Sequence, residues 1–216
     1  MPWSHPDFPN LQMMDHPLIQ DKLTWVRDRS TSFRAFRALV NQIAGLMVFE
    51  VTRTFPTEEV TVETPLEPAQ GVRIRGKITI CPILRAGLGM SGGVTEMIPE
   101  ARVGHIGLFR DEESLKPVEY LNKLPSDLDA GPVILVDPML ATGGSASAAV
   151  DMIKARGATD IRMICLVASP EGVQRLLDDH PTVQIYAASL DRELDDRGYI
   201  RPGLGDAGDR LFGTEH

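Results

Sequence analysis

Residues 133–147 read VILVDPMLATGGSAS, and this stretch decides the fold class of the whole chain. Four apolar residues lead into Asp137, and a short loop with Gly143 and Gly144 follows before an alanine-rich helix start. Glycine lets backbone N–H groups come close to a phosphate, and the amide end of a helix attracts negative charge. This order predicts a site for a phosphorylated ligand, with an ordinary strand-to-helix connection as the alternative.

Further apolar strands alternate with helical segments on both sides of this stretch. The predicted strands are 77–84, 103–109, 161–168 and 183–188, and the predicted helices are a segment ending at Ile98, 146–155 and 171–179. Such alternation implies an α/β fold, a doubly wound and mostly parallel sheet with helices on both faces. Ligands bind such sheets at the carboxyl ends of the strands.

Three charged residues lie at predicted carboxyl ends of strands, namely Arg85, Arg110 and Asp137. Because those ends meet at one edge of a parallel sheet, we expect the three side chains to share a site. Fold alone does not demand charge at these positions. The alternatives are a structural ion pair for Arg85 and a solvated position for Arg110 at the start of a polar loop.

The remaining segments are assigned to the same single domain, residues 1–216. Residues 1–15 carry three prolines without periodicity and are predicted to be an irregular arm. A helical N-terminal part follows, with helices over 17–29 and from about 31 to 52. Valines and isoleucine alternate with polar residues at Val60, Val62, Val72 and Ile74, which predicts a half-exposed hairpin. The polar stretch 111–132 contains an alternating piece and is predicted to form a hairpin flap.

Composition and charge exclude several classes of protein. The chain has 216 residues, of which 43% are hydrophobic and 24% charged, as in ordinary globular proteins. A net charge of -8 argues against a nucleic-acid or anionic-membrane partner, and no apolar run approaches the roughly 20 residues of a membrane span. Cys81 and Cys165 each lie in a strand-like run, so we expect two buried reduced thiols, a cytoplasmic protein and no signal peptide.

Several motifs resemble those of one known family. They are PILRAGLGM at 82–90, VDPMLATGGS at 136–145 and GYIRPGLGDAGDRLFGT at 198–214, with HPL at 16–18, FR at 109–110 and PEG at 170–172. The segment LATGGS and the strand before it resemble type I phosphoribosyltransferases in general. The longer motifs are similar to the uracil phosphoribosyltransferases in particular, and the likeness covers nearly everything after about residue 15.

One departure from the broad pattern concerns the residue after Asp137. Most type I members carry two adjacent acidic residues after the strand, whereas Pro138 follows Asp137 in this chain. That form is usual in the uracil subfamily, so it favours the narrower resemblance. It also leaves one carboxylate to hold the ribose hydroxyls.

The resemblance implies transfer of the phosphoribosyl group of phosphoribosyl pyrophosphate (PRPP) to N1 of uracil, which yields UMP and pyrophosphate with the help of Mg²⁺. It places the 5′-phosphate on the loop at 141–145, the ribose on Asp137 and the pyrophosphate on Arg85 and Arg110. The PRPP-binding residues implied are Arg85, Ala86, Gly87, Arg110, Asp137, Pro138, Met139, Leu140, Ala141, Thr142, Gly143, Gly144, Ser145 and Asp206, with Asp137, Arg110 and Asp206 as the catalytic ones.

The C-terminal segment 189–214 is where the resemblance places the uracil site. Its stretch GYIRPGLGDAGDR is predicted to be too rich in glycine for helix or strand. The uracil-binding residues implied are Ile200, Gly205, Asp206 and Ala207. Asp206 is expected to reach PRPP or its Mg²⁺, and the alternative is a turn cap formed by its carboxylate. The acidic residues Asp191, Glu193, Asp195 and Asp196 are predicted to be solvated and without chemistry.

The resemblance also implies a homodimer or larger homo-oligomer, and some relatives are activated by GTP. Two competing functions remain. A regulatory protein that keeps this fold, binds RNA and senses nucleotides would be expected to show a basic surface, which a net charge of -8 opposes. A phosphoribosyltransferase for another base, such as a purine, would be expected to carry paired acidic residues and to lack GYIRPGLGDAGD.

Overall fold

The computed structural model of the protein describes residues 2–110 and 117–214, with the backbone alone at Arg110. The strands are β1 (Trp3–His5), β2 (Phe8–Met13), β3 (Thr57–Glu63), β4 (Pro68–Ile74), β5 (Thr79–Leu84), β6 (Arg102–Val103), β7 (His105–Arg110), β8 (Pro117–Lys123), β9 (Val133–Val136), β10 (Met139–Leu140), β11 (Ile161–Ala168), β12 (Gln184–Leu190), β13 (Glu193–Leu194) and β14 (Ile200–Arg201). The helices are α1 (Pro17–Arg27), α2 (Phe33–Val51), α3 (Leu88–Met97), α4 (Gly144–Lys154), α5 (Pro170–Asp179) and α6 (Ala207–Phe212).

The main sheet has the strand order β1-β2-β12-β11-β9-β5-β7-β8. The strands from β2 to β7 in that order run parallel, and antiparallel β1 and β8 flank them. Every residue of β9 and β11 is buried, because helices cover both faces of a parallel sheet. The doubly wound α/β fold expected from the alternating pattern is confirmed.

Alternate residues of the central strands feed two separate core layers. On β9, Ile134 and Val136 pack in the layer formed with α1, α2, α3 and α6. The residues between them, Val133 and Leu135, pack in the layer formed with α4 and α5. This division explains the unbroken apolar run, since both sides of each strand face a core. None of the described helices is long and apolar enough to cross a membrane.

The N-terminal arm is not irregular, so the prediction for residues 1–15 was wrong. Strand β2 pairs in parallel with β12 and aligns Leu11 with Ile185. Leu11 is fully buried, and β1 folds back on β2 as the edge of the sheet. Leu11 and Met13 do alternate with polar residues, but Pro9 masked this short period. Proline is tolerated on such a strand near the sheet edge, where one of its sides makes few ladder bonds.

Both predicted hairpins are present in the described part of the chain. Strands β3 and β4 form a separate antiparallel pair, and Leu66 in the turn between them is 95% exposed. Strand β8 pairs with β7, which confirms a hairpin in the flap region. The flap residues 111–116 lie outside the described residues. Leu124 and Leu128 are buried, so the second half of the flap region returns to the body.

The glycine-rich C-terminal segment contains regular structure, contrary to expectation. Ile200 and Arg201 form β14, which pairs with β13, and Ala207 begins helix α6. Asp206 caps this helix, because its side chain accepts a hydrogen bond from the N–H of Asp209. The glycines at 203 and 205 have positive φ angles of 64° and 80° and confine the irregular backbone to the turn before the cap.

Helices α2 and α3 approach each other so closely that glycine is required at the contact. A Cβ on Gly93 would lie 1.9 Å from the carbonyl oxygen of Asn41, and one on Gly45 would lie 3.1 Å from the carbonyl oxygen of Gly93. This contact sets the position of α3, and α3 follows directly on the loop that carries Arg85.

We expect Gly93→Ala to lower the free energy of unfolding by about 1–3 kcal/mol, because the added methyl forces the two helix backbones apart. Urea denaturation measures the change. Gly71→Ala in the exposed hairpin is the matched control, since its nearest neighbour would lie at an ordinary contact distance of 3.9 Å. Equal stability of the two variants would contradict the close packing of α2 on α3.

Candidate active site

Five neighbouring strands of the sheet deliver polar residues to one edge. In spatial order, β12, β11, β9, β5 and β7 are followed or ended by Asp191, Ser169, Asp137, Arg85 and Arg110. Arg85, Arg110 and Asp137 thus follow or end neighbouring parallel strands, and their sharing of one site stays a prediction. Asp191 and Ser169 also follow strands at this edge of the sheet, although the sequence predicted a functional role for neither.

The loop predicted to bind phosphate, residues 141–145, is called the phosphate loop. It runs from the end of β10 into the first residues of α4. Gly143 adopts a left-handed conformation with φ 76° and caps α4, and the side chains of Thr142 and Ser145 beside it are exposed. The first N–H groups of a helix have no acceptor within the helix. The loop therefore presents backbone donors and two hydroxyls to the same opening, which suits a phosphate group.

Ser169 and Gly172 hold the other side of this loop. Ser169 Oγ donates to the carbonyl oxygen of Ala141 at 2.6 Å, and the N–H of Ser169 donates to the carbonyl oxygen of Leu140 at 3.0 Å. A Cβ on Gly172 would lie 2.1 Å from the carbonyl oxygen of Ala141, so only glycine fits. Loop carbonyls are thus directed toward α5. The motif PEG at 170–172 was the available signal for this support.

Asp137 occupies a partly exposed position at the end of β9, with protein packed around its carboxyl group. The N–H of Met139 donates to its Oδ1 at 3.3 Å. Burial raises the pKa of Asp137 to about 7, and this hydrogen bond only partly offsets it. The carboxyl group therefore changes its charge near neutral pH. A hydrogen-bond donor or a cation bound in the site would lower this pKa, because it stabilises the carboxylate.

Arg85 extends from the end of β5 toward helix α6. Its side chain is 60% exposed, and Nη2 lies 3.7 Å from Oδ1 of Asp209. The loop behind it is tightly seated, because a Cβ on Gly87 would lie 2.5 Å from the carbonyl oxygen of Val136. The Leu84–Arg85 peptide bond is cis. Most of the Arg85 side chain is thus exposed at the site, while the side chain of Arg110 lies outside the described part.

A cavity of about 220 Å³ lies between the phosphate loop and the turn at 200–207, which we call the C-terminal turn. Its lining residues are Met139, Ala141, Arg197, Gly198, Tyr199, Ile200 and Asp206. Ile200 and Asp206 were expected at a base site, whereas Arg197 and Tyr199 were not. Ala207 packs its methyl in the core, and Gly205 lies beside Asp206 in the turn. The cavity thus joins residues that are some sixty positions apart in sequence.

The acidic residues after β12 are not a solvated run, so that prediction was wrong for two of them. Asp195 accepts from the N–H groups of Arg197 and Tyr199 at 3.0 and 2.9 Å and pairs with Arg201. These contacts, led by the Tyr199 N–H, hold its pKa below the usual range. Because Arg201 turns outward to this partner, Ile200 keeps its buried place in the cavity wall.

Asp191 is only 6% exposed and lies in a bidentate ion pair with Arg27. Burial alone would raise its pKa, but the hydrogen bonds from Arg27 and Ser189 outweigh burial and hold the pKa below the usual range. Its position immediately after a strand was the signal for a role at this edge. The surrounding acidic composition obscured that signal.

The chain is similar to known proteins over nearly its whole length. A family model described as uracil phosphoribosyltransferase matches residues 13–214. The uracil phosphoribosyltransferase of Halalkalibacterium halodurans is 58% identical over 204 residues, which covers 94% of this chain and 98% of that protein. The uracil phosphoribosyltransferase of Listeria welshimeri is 56% identical over 207 residues, which covers 95% and 99%.

Solved structures share the fold of this chain. The AQ2163 protein from Aquifex aeolicus is 34% identical with a TM-score of 0.91 and covers 95% of this chain and 99% of that chain. An adenine phosphoribosyl transferase from Trypanosoma brucei shares the fold, with a TM-score of 0.57, 13% identity and coverage of 91% and 90%. The family model and the high-identity relatives show that the chain belongs to the uracil phosphoribosyltransferase family.

Proposed function

We propose that this protein transfers the phosphoribosyl group of PRPP to N1 of uracil and releases UMP and pyrophosphate. The observation that carries the proposal is the cavity shared by the phosphate loop and the C-terminal turn. Met139 and Ala141 enter it from the donor side, and Ile200 and Asp206 enter it from the other side. A small base held there would lie next to a sugar bound at Asp137.

The loop at 141–145 holds the 5′-phosphate in this proposal. Its backbone N–H groups and the hydroxyls of Thr142 and Ser145 supply uncharged donors, and the start of α4 adds a favourable potential. Ser169 and Gly172 keep the loop carbonyls away from the phosphate. The residues 137–140 then form the wall along which the ribose lies.

Asp137 binds the ribose hydroxyls and is needed in its ionised form. A carboxylate accepts charge-assisted hydrogen bonds from hydroxyl donors, and its negative charge stabilises positive charge that develops on the sugar. In the transfer, the bond from C1′ to the pyrophosphate oxygen breaks and the bond from C1′ to N1 of uracil forms. The proton on N1 leaves to solvent or to the pyrophosphate.

The departing pyrophosphate is stabilised by guanidinium groups. Arg85 presents an exposed side chain at the strand ends, and planar guanidinium forks suit phosphate oxygens. Ala86 and Gly87 place backbone beside it. Arg110 is proposed for the same role from its position at the end of β7. Positioning and charge stabilisation then supply most of the lowering of the barrier.

Mg²⁺ fits this site as an ion carried by PRPP. Among the described residues no group of three or more His, Cys, Asp or Glu side chains is arranged to hold a metal. Mg²⁺ commonly binds through substrate phosphates with one or two carboxylates and several waters. Asp206 and Asp137 are the carboxylates available for this, and the ion would supply charge neutralisation on the phosphates.

The C-terminal turn reads the base with its backbone. Uracil has both donors and acceptors along its edge, and a rigid turn at 200–207 can pair them with C=O and N–H groups. Cytosine presents a donor where uracil presents an acceptor, so its binding would leave buried polar groups unpaired at a cost of about 1–3 kcal/mol or more.

We also expect a cytoplasmic homodimer or larger homo-oligomer. The two cysteines are free and buried, which suits a reducing compartment. An isolated two-stranded hairpin is marginally stable in water, so the exposed β3–β4 hairpin would gain from packing on a second copy. The family resemblance also implies activation by GTP. Measuring UMP formation with and without GTP tests this activation.

The assay that tests the proposed function measures UMP formation from PRPP with Mg²⁺ and one of four bases. We expect product with uracil and at least about tenfold lower kcat/KM with cytosine, because of its unpaired groups. Hypoxanthine and orotate are the other two bases. Turnover with any of these and none with uracil would overturn the assignment.

Asp137→Asn should lower kcat/KM for PRPP by about a hundredfold at pH 8, because the neutral amide cannot stabilise developing positive charge. In the wild type, kcat/KM should fall by about tenfold per pH unit below pH 7 as the carboxyl protonates. The variant should retain only the pH dependence of PRPP itself. A wild-type profile that matches the variant's would rule out this role for Asp137.

Asp137→Asn should raise the free energy of unfolding, although it lowers activity. The fold favours neutral Asp137, since its pKa is raised from 3.8 to about 7. The stability that this group contributes is therefore complete below about pH 4 and is lost as the pH rises through 7. Urea denaturation should show Asp137→Asn gaining stability relative to the wild type between about pH 4 and pH 8.

Asp206→Asn should reduce kcat by about tenfold or more while leaving the stability nearly unchanged. Asparagine caps helices about as well as aspartate, so the bond from the N–H of Asp209 is retained and only the charge is lost. Asp206→Ala is the matched comparison and should also lose about 1 kcal/mol of stability. UMP formation near the wild-type rate in Asp206→Asn would refute a role for its charge.

A further inference from the structure

The base-reading turn is held by an ion pair that lies outside the cavity. Arg27, the last residue of α1, donates from Nη1 and Nη2 to the two carboxylate oxygens of Asp191 at 2.7 and 2.6 Å. The Asp191 side chain is 3% exposed and also accepts from Ser189 Oγ at 2.7 Å. The N–H of Gly203 is a fourth donor to this carboxylate, so each of its oxygen lone pairs has a partner and the ion pair is held in one orientation.

Both polar backbone groups of Gly203 bind to this pair. The N–H of Gly203 donates to Oδ2 of Asp191 at 2.8 Å, and the carbonyl oxygen of Gly203 accepts from Nη1 of Arg27 at 2.7 Å. One carboxylate and one guanidinium thus fix both the position and the orientation of this residue. A lysine in place of Arg27 could not make the three contacts at once.

Gly203 transmits this restraint to the cavity wall. Its φ of 64° and its closeness to Ile200 leave no room for a side chain, since a Cβ would lie 2.1 Å from the carbonyl oxygen of Ile200. Ile200 lines the cavity, and Asp206 follows three residues after Gly203. Any movement of Gly203 must therefore displace the backbone that faces the base.

A second arginine anchors the neighbouring part of the turn independently. Arg210 donates to the carbonyl oxygen of Leu204 at 2.8 Å and to those of Val26 and Asp28 at 2.5 and 2.6 Å. Its guanidinium stacks on Phe36 at 4.3 Å. Loss of the Arg27–Asp191 pair should loosen the turn without detaching it from the end of α1.

We propose that Arg27 and Asp191 are positioning residues for the nucleobase and that they set its affinity and selectivity through Gly203. This inference rests on the proposed transfer to uracil. It assigns no contact with substrate to either side chain. The phosphate loop, Asp137 and Arg85 follow other strands, and Asp206 is held separately by its cap on α6 and by the contact of Arg210 with Leu204. The effect of the pair should therefore fall on the base much more than on PRPP.

The test compares steady-state kinetics of three variants with the wild type. Asp191→Asn and Arg27→Lys should each raise KM for uracil by about tenfold, because a misplacement of the turn of the order of an ångström is costly. KM for PRPP should stay within about twofold. The ratio of kcat/KM for uracil to that for cytosine should fall, since a loosened turn rejects the wrong base less well.

Asp160→Asn is the matched control. Asp160 forms a similar two-contact ion pair with Arg162 at 3.0 Å, but at the opposite end of β11 from the site. It should lower stability in urea without changing either KM. Arg27→Lys keeps the positive charge and is the variant to use if Asp191→Asn does not fold.

Two results would overturn the positioning role. The first is a wild type that forms UMP while the folded Asp191 and Arg27 variants keep the wild-type KM for uracil. The second is a rise of both KM values together, which would indicate a general structural role. A wild type that forms no UMP would overturn the proposed function as well, and so the two failures are distinguishable.

Discussion

The parallel hydrogen-bonded register of β5, β9 and β11 is the constraint on which the rest of the site depends. It aligns Pro82 of β5 and Ile164 of β11 with Val136, the last residue of β9, and so fixes where the residues that follow each strand emerge at this edge. Residues that follow those ends then meet without any long loop to bring them together. The register is stable because both faces of each strand are buried, and a slip by one residue would exchange the two core layers. The accurate placement of the residues at the strand ends therefore results from the burial of strand side chains at some distance from the site.

Sequence patterns were sufficient where one strong signal acted alone. The apolar run before Asp137, the glycines after it and the strand-helix alternation all predicted the structure that is present. They failed where two signals competed locally. Pro9 hid the period of Leu11 and Met13, and the glycines around Asp206 hid the helix α6 that its carboxylate caps. Asp191 was misread for another reason, because its burial comes from Arg27 on α1, and a contact between such distant positions leaves no local pattern.

The proposed PRPP site at the strand ends, the donor half, and the proposed uracil site at the C-terminal turn, the acceptor half, depend on different physical interactions. The donor half uses charge and backbone donors at strand ends, which tolerate a flexible and strongly charged ligand. The acceptor half has no comparable charge to exploit, because uracil is neutral, so it depends on the exact placement of a short backbone turn. This difference explains why the C-terminal turn is fixed by arginine contacts to several carbonyl oxygens, whereas the side chain of Arg85 is largely exposed.

The link between Arg27 and Asp191 also has a consequence for the order in which the protein is assembled. The two residues are separated by 164 positions, and Gly203 lies further still toward the end of the chain. During synthesis, the strands that carry Arg85 and Asp137 emerge before Asp191 exists, and chain closure over such a distance is slow. Helix α6, which follows Gly203 in the chain, buries Ala207 and Leu211 in the same core layer as Ile134 and Val136. That layer is therefore complete only after the C-terminal segment has been made. A ribosome that stalls or a protease that trims the last helix would thus remove both the support of the base site and part of the core beneath the strands that carry Arg85 and Asp137.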